Sequence, residues 1–218
     1  MNTAKNTLVR LLSLALIPVM LCLASCGMTL QKSGSMSAVD KASGKVWKHA
    51  STCYEAVELG DKLGSMKIAK DYTLALHEIK DMDAESWIAT EEGNVLYTED
   101  TKLPTLVEMN TDGLLICVDG ATIKVIHQIV EDKVLDSIVN AYTQNDGVDY
   151  PATPFLRTYR LRFTSDEYPG LFYCLTYGEY AEDYVLDGVN HGKYFLYDAF
   201  DSYFVPMGDE IHTALGLE

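Results

Sequence analysis

The sequence predicts an α+β fold, mainly antiparallel sheet in two β-rich halves, each ending in a helix. Three observations lead there. From Val46 onward short apolar segments alternate with turn signals, without the strand–helix alternation of a parallel sheet. The apolar period changes from two to that of a helix at residues 132–143 and again at 209–216. Each of those helical stretches comes after a run of strands and begins with an acid, which leaves an internal duplication open.

The elements are taken in chain order. Residues 27–45 are polar with recurring Gly and Ser, so 26–45 is expected to be a flexible tether and folding to begin near Val46 and Trp47. Strands are expected at 72–79, 85–90, 94–97 and 114–118, the last bracketed by Asp-Gly turns at 112–113 and 119–120. Residues 122–129 alternate most cleanly. Ile123, Val125, His127 and Ile129 share a face there, and His127 reads as a hydrogen-bonded core histidine. In 132–143, Val134, Leu135, Ile138, Ala141 and Tyr142 line one face of an amphipathic helix, with Asp132 at its N-terminus.

Residues 144–154 are the expected boundary, giving a first half at 46–148 and a second at 149–218, as two domains or one. In the second half, 157–163 alternates, with Tyr159, Leu161 and Phe163 opposite Thr158, Arg160 and Arg162. Residues 171–177 and 193–200 are apolar on both faces, as in covered strands. Asp187-Gly188 marks a turn, 203–205 a last short strand, and 209–216 a helix with Ile211, Ala214 and Leu215 inward.

Seventeen Lys and Arg stand against 32 Asp and Glu, a net charge of −15. So acidic a surface repels phosphate backbones and excludes nucleic acid as a partner. The positive charges are distributed unevenly. Lys5 and Arg10 precede an apolar run at 11–24 that is interrupted by Ser13 and Pro18, and residues 1–25 contain no acid. A run of that length falls short of the roughly 20 residues that span a bilayer. Basic start, short apolar middle and small-residue end are the layout of a secretory signal peptide at 1–25.

That segment ends Leu23-Ala24-Ser25-Cys26-Gly27. It resembles the lipobox of bacterial lipoproteins. The resemblance implies cleavage before Cys26, a diacylglycerol on its thiol with palmitate-type acyl chains, and a protein held by its N-terminal lipid on the exported side of the cell membrane or outer membrane. Two buried acyl chains suffice for stable attachment. Gly27 stands where an aspartate would resemble an inner-membrane retention signal, and so leaves the membrane open. The resemblance covers this segment alone; residues 46–218 resemble no family.

Cys53, Cys117 and Cys174 remain in the body, an odd number without zinc spacing, so a full disulfide framework is excluded while a Cys117–Cys174 bridge stays open. G-x-S-x-G, H-E-x-x-H, P-loop and G-x-G-x-x-G signatures are missing. Residues 108–119 faintly echo a calcium loop. They carry Glu at position one and Asp at position twelve, the reverse of what the EF-hand needs, and read as a hairpin turn. No catalytic residue, metal ligand or cofactor is expected.

Two features point to binding. Arg160 and Arg162 share a strand face and have the forked geometry that grips carboxylates, whether of a ligand or of nearby acids. Residues 163–204 hold 13 aromatics, eight of them Tyr, among eight acids and a single Lys. Tyr is enriched at recognition surfaces, and Tyr168, Tyr180 and Tyr184 fall in expected loops, where sites are commonly built. The leading expectation is a non-enzymatic envelope protein that binds a protein, peptide or glycan through this half. Two further readings are a hydrolase pairing Asp166 or Glu167 with Glu182 or Asp183, and a structural or sensory lipoprotein.

Overall fold

The chain enters its first strand immediately after Gly27. A computed structural model describes residues 27–120, 122–149, 154–198 and 203–217. Cys26 and the expected signal peptide lie outside the described residues.

Eight strands come first: β1 (Met28–Lys32), β2 (Ser37–Asp40), β3 (Val46–His49), β4 (Tyr54–Ala56), β5 (Leu59–Ala69), β6 (Tyr72–Ile79), β7 (Trp87–Thr90) and β8 (Val95–Thr98). All except β4 join in a closed barrel, in the order β1-β2-β3-β8-β7-β6-β5. Its neighbours are antiparallel except at the seam, where β1 runs parallel to β5 with Leu30 opposite Met66. At one point of the seam the two backbones approach unusually closely. Gly64 allows this, because a Cβ there would overlap the Met28 carbonyl. Alternate residues of the strands, among them Leu30, Trp47, Met66, Leu76, Ile88 and Leu96, form one buried cluster. Each contributes roughly 1.5–3 kcal/mol by leaving water.

The rest builds a second sheet from β9 (Gly113–Val118), β10 (Lys124–Ile129), α1 (Asp132–Gln144), β11 (Val148–Asp149), β12 (Arg157–Thr164), β13 (Leu171–Glu179), β14 (Val185–Leu186), β15 (Val189–Asn190), β16 (Tyr194–Tyr197), β17 (Tyr203–Met207) and α2 (Asp209–Ala214). The strand order is β10-β9-β12-β13-β16-β17-β11, with β4 from the barrel segment also pairing β13, while β14 and β15 form a separate hairpin. One face packs Leu114, Ile116, Leu161, Phe163, Leu175 and Tyr177 against Leu135 and Ile138 of α1 and Ile211 of α2. Barrel and sheet meet through a third cluster, where Ile79, Trp87 and Val95 touch Cys53, Tyr54, Met109 and Leu171.

Over the described residues the protein is therefore mostly β, 48% strand against 10% helix, and the expected α+β fold with two helix-ending halves does not form. The reason is that α1 does not close the first half: it packs beside α2 on the second sheet. By strand pairing, β9 and β10 join the sheet of β12, β13, β16 and β17, and α1 covers that sheet. The expected tether supplies β1 and β2, whose Leu30 and Ala38 are fully buried. His127 is exposed, because β10 is an edge strand in which only Ile129 is covered. Cys53, Cys117 and Cys174 are free. Cys117 and Cys174 flank β12, opposite Arg160 and Arg162 respectively. Two strand spacings, about 10 Å, separate them, beyond the roughly 7 Å Cα span of a disulfide.

Candidate functional site

The second sheet has one face under helices and another that carries an aromatic cluster at the β13–β16–β17 end. Strand alternation puts Gly178 of β13 and Phe195 and Tyr197 of β16 on that face, and Tyr180 continues it just beyond β13. Gly178 is the pivot. Without a side chain it lets Phe155 lie flat on the strand, and a Cβ at 178 would stand 2.5 Å from that ring. Phe155 stacks on Tyr180 at 4.2 Å between centroids and on Tyr197 at 5.3 Å. Tyr180 meets Phe195 edge to face at 5.5 Å, and Tyr184 meets the same ring edge to face at 6.0 Å. Such geometries match the ring quadrupoles and add to the gain from burial.

The loop after β13 is held by backbone and amide bonds. Leu156 N–H donates to the Glu179 carbonyl at 2.7 Å, and Tyr180 N–H to the Lys193 carbonyl at 2.8 Å. Tyr184 N–H donates to Gly192 O and His191 N–H to Tyr184 O, closing the base of the β14–β15 hairpin. The hairpin turns at Asp187 and Gly188, both at positive φ, as a two-residue primed turn requires. Asn190 Nδ2 donates to Asp183 Oδ2 at 2.8 Å, which fixes that carboxylate at the rim.

Between loop and cluster lies a groove of about 470 Å³, lined by Pro154, Phe155, Leu156, Tyr180, Glu182, Asp183 and Tyr184. Its floor is aromatic and its rim acidic. Leu156 of the lining is more than half exposed, as are Val185 and Val189 of the adjoining β14–β15 hairpin. Volume and lining suit a small ligand or a few residues of a peptide.

The sequence-predicted residues are partly brought together. Tyr180 and Tyr184 both line the groove, yet Tyr180 is buried rather than displayed, so it contributes a wall and not a platform. Tyr168 is elsewhere, half-buried in the cluster joining barrel to sheet. Arg160 and Arg162 do share a face, and both close on Glu55 of β4: Arg160 Nη2 on Oε1, and Arg162 Nη2 on Oε2 at 2.6 Å. Arg162 also stands over the Phe172 ring at 5.1 Å. Their forks are thus engaged by an internal carboxylate that clips β4 to the sheet. The supposed acid pairs do not meet. Asp166 and Glu167 precede β13 and Glu182 and Asp183 come after it, so nine strand residues, roughly 27–30 Å, lie between. Glu167 instead accepts from Asn110 Nδ2 at 3.0 Å.

Other reactive groups are subdued. Burial, then the Asp198 carboxylate, pushes the Cys53 thiol up to about 12. Burial likewise raises Cys117 and Cys174, so none is a ready thiolate. In the calcium-like stretch, Glu108 accepts from Lys102 and Thr105, and Asp112 from Thr164 Oγ1, so these carboxylates serve the turn. Among the described residues no cluster of His, Cys, Asp and Glu has the makings of a metal site.

Sequence reasoning missed Phe155, the centre of the site, because it falls between the expected boundary at 144–154 and the strand expected from 157. The available signal was Gly178: a glycine inside an aromatic strand marks a close approach. No protein-family model, curated protein or solved structure matches this chain. The groove's chemistry is therefore the guide to what it takes.

Proposed function

We propose that this is a lipid-anchored protein of the bacterial cell envelope whose aromatic groove binds a basic, apolar peptide segment of a partner. The groove between Phe155, Tyr180 and Tyr184, rimmed by Glu182 and Asp183, carries the reading. A cationic side chain would meet the rim carboxylates while an apolar neighbour covers Leu156, Val185 and Val189. A peptide suits this better than a glycan. Sugars stack on open ring faces, whereas Phe155, Tyr180 and Tyr197 spend theirs on one another. The hydrolase reading is set aside, because its carboxylate pairs stand at opposite ends of β13.

The lipobox-like Leu23–Cys26 segment supports the anchor. Gly27 lies against the Leu63 carbonyl, and β1 starts at the next residue. A lipid on Cys26 therefore places this end of the barrel at the membrane, with no long spacer. Among the described residues no helix is long and apolar enough to cross a membrane.

Two measurements test the reading. Wild-type chain is expected to incorporate labelled palmitate and pellet with membranes, and Cys26→Ser to lose both. Retention of Cys26→Ser in membranes without the label would overturn the anchor. An alternating Lys-Leu peptide is expected to bind the full chain, an alternating Glu-Leu peptide not. Glu182→Lys combined with Asp183→Lys, at exposed rim positions, is expected to weaken the basic peptide about tenfold or more. Equal binding of both peptides would sink the groove assignment.

A further inference from the structure

A second cavity opens at the far end of the barrel from Gly27. Strands β1, β3 and β5 finish there and β8 begins there, since β1 runs parallel to β5 and β3 antiparallel to β8. The cavity measures about 430 Å³, within the roughly 300–1,000 Å³ of small-ligand sites. Barrel mouths are among the places where such sites form, because the strands splay while the interior below is already filled. Here Met66 and Val95 form the buried floor, Ile68 a wall, and Met36, about half exposed, the lip. The lip is held in place: Ser33 N–H donates to Ser37 O, and His49 N–H to Met36 O, both at 2.9 Å.

The lining has a charge character opposite to the protein. In a chain of net charge −15 the residues around this cavity include Lys32 and His49 and no carboxylate. Ser51, Thr52 and Asn94 add neutral groups; Thr52 Oγ1 donates to Asp198 Oδ1 at 3.3 Å and Asn94 Nδ2 to Glu92 Oε2 at 3.2 Å, both carboxylates outside the lining. Among the described residues, no acid forms an ion pair with Lys32. An apolar floor with a cationic, carboxylate-free rim is complementary to a molecule with a hydrocarbon part and one negative head.

We propose that the barrel mouth is a binding site for a small amphipathic carboxylate, its tail on Met66, Ile68 and Val95 and its head between Lys32 and His49. The site is separate from the aromatic groove, on the other sheet, and neither depends on the other. His49 fits the role of neutral donor. Burial and then the Lys32 charge push its imidazole below the ordinary value, so that at neutral pH it offers an N–H without adding charge. A diacyl lipid exceeds the cavity, so the carboxylate it takes is a free acid with a short tail.

The test is calorimetric titration of the full chain with hexanoate, hexan-1-ol, hexylamine and acetate. Hexanoate is expected to bind one to one. Hexanol and acetate, each lacking one half of the recognition, are expected to bind at least about tenfold more weakly, and hexylamine not at all. Lys32 is exposed, so Lys32→Glu leaves the fold intact and is expected to abolish hexanoate binding and admit hexylamine. Ile68→Trp fills the cavity and is expected to abolish both. The His49 imidazole proton resonances are expected to shift with hexanoate in the wild type, which places the ligand at this mouth. No hexanoate binding, equal binding of hexanol, undiminished hexanoate binding by Lys32→Glu, or binding that leaves His49 unmoved would each overturn the proposal.

Discussion

Three residues carry more of the structure than their size suggests. Gly64 is needed because β1 and β5 touch there. Gly64→Ala would force the Met28 backbone away and open the seam, at about 1–3 kcal/mol. Urea unfolding measures the loss, and hydrogen exchange is expected to locate it in β1. Gly178 is needed because Phe155 covers it. Gly178→Ala is expected to cost a similar amount and to weaken binding of the Lys-Leu peptide; stability lost with binding retained would show that Phe155 does not shape the groove. Glu55 is needed because two guanidinium groups share it. The side chains of this triad are only 17–28% exposed, so their pairing lies between surface bridges of about 0–1 kcal/mol and buried ones of about 3–5 kcal/mol. Glu55→Gln is expected to lose about 1–3 kcal/mol in chemical denaturation, and Glu55→Gln with Arg162→Met less than the sum of the single changes. The forked side chains were legible in the sequence. Their partner was not, because Glu55 is more than a hundred positions away and reaches them only through the pairing of β4 with β13.

At the scale of elements, legibility tracked local regularity. The strand at 72–79 and the helix at 132–143 appear almost as read, since β6 buries Leu74 and Leu76 on one face and α1 buries Leu135 and Ile138 on the expected stripe. The longest strand, β5, was missed. Its pairing with β6 shifts register between Leu59 and Lys62, between Lys62 and Gly64, and between Lys67 and Ala69, and each shift resets the period-two pattern. Strands β1 and β2 were missed for another reason. Their Ser, Thr, Gln and Lys content reads as solvated chain, and only closure of the barrel gives Leu30 and Ala38 somewhere to be buried. The opposite error arose at β10, whose alternation is real while its burial is not. Val125 and Ile126 are exposed on an edge strand, which is a template for unwanted strand pairing. Val125→Lys is therefore expected to leave the melting temperature unchanged and to lower light scattering at high protein concentration in salt. A drop in melting temperature of several degrees would mean that the position is covered after all.

For the whole molecule, the buried and hydrogen-bonded ionisable groups predict stability that falls on both sides of neutrality. On the acid side, His49 is held below its ordinary 6.5 by burial and then by Lys32. Its contribution is present above 6.5 and is lost as pH falls through the depressed folded value. Two carboxylates titrate at lower pH. Burial opposes ionisation of Asp40, but hydrogen bonds from Ser43, Ala42 and Thr29 outweigh it and hold the carboxyl below 3.8. Lys102 and Thr105 hold Glu108 at about 2, so its share persists above 4.5 and disappears toward pH 2. On the alkaline side the sign reverses. Cys53 is raised from 9.0 to about 12 by burial and by Asp198, so its share is complete below 9 and is lost as pH climbs toward 12. Partly buried Tyr173 and buried Tyr177, each raised first by burial, move the same way. Self-repulsion sharpens the asymmetry: a chain at −15 gains further charge in alkali and sheds it in acid, which steepens the alkaline fall and softens the acid one. Melting temperature is thus expected to be flat between about pH 6.5 and 9, to fall gently and then more steeply on the acid side, and to fall steeply on the alkaline side. His49→Gln separates the local from the global term, because it leaves the self-repulsion unchanged while removing the titrating imidazole. Circular-dichroism melts of both proteins from about pH 3 to 11 decide the matter. If His49→Gln keeps the gentle fall just below pH 6.5, the barrel-mouth histidine is not its source.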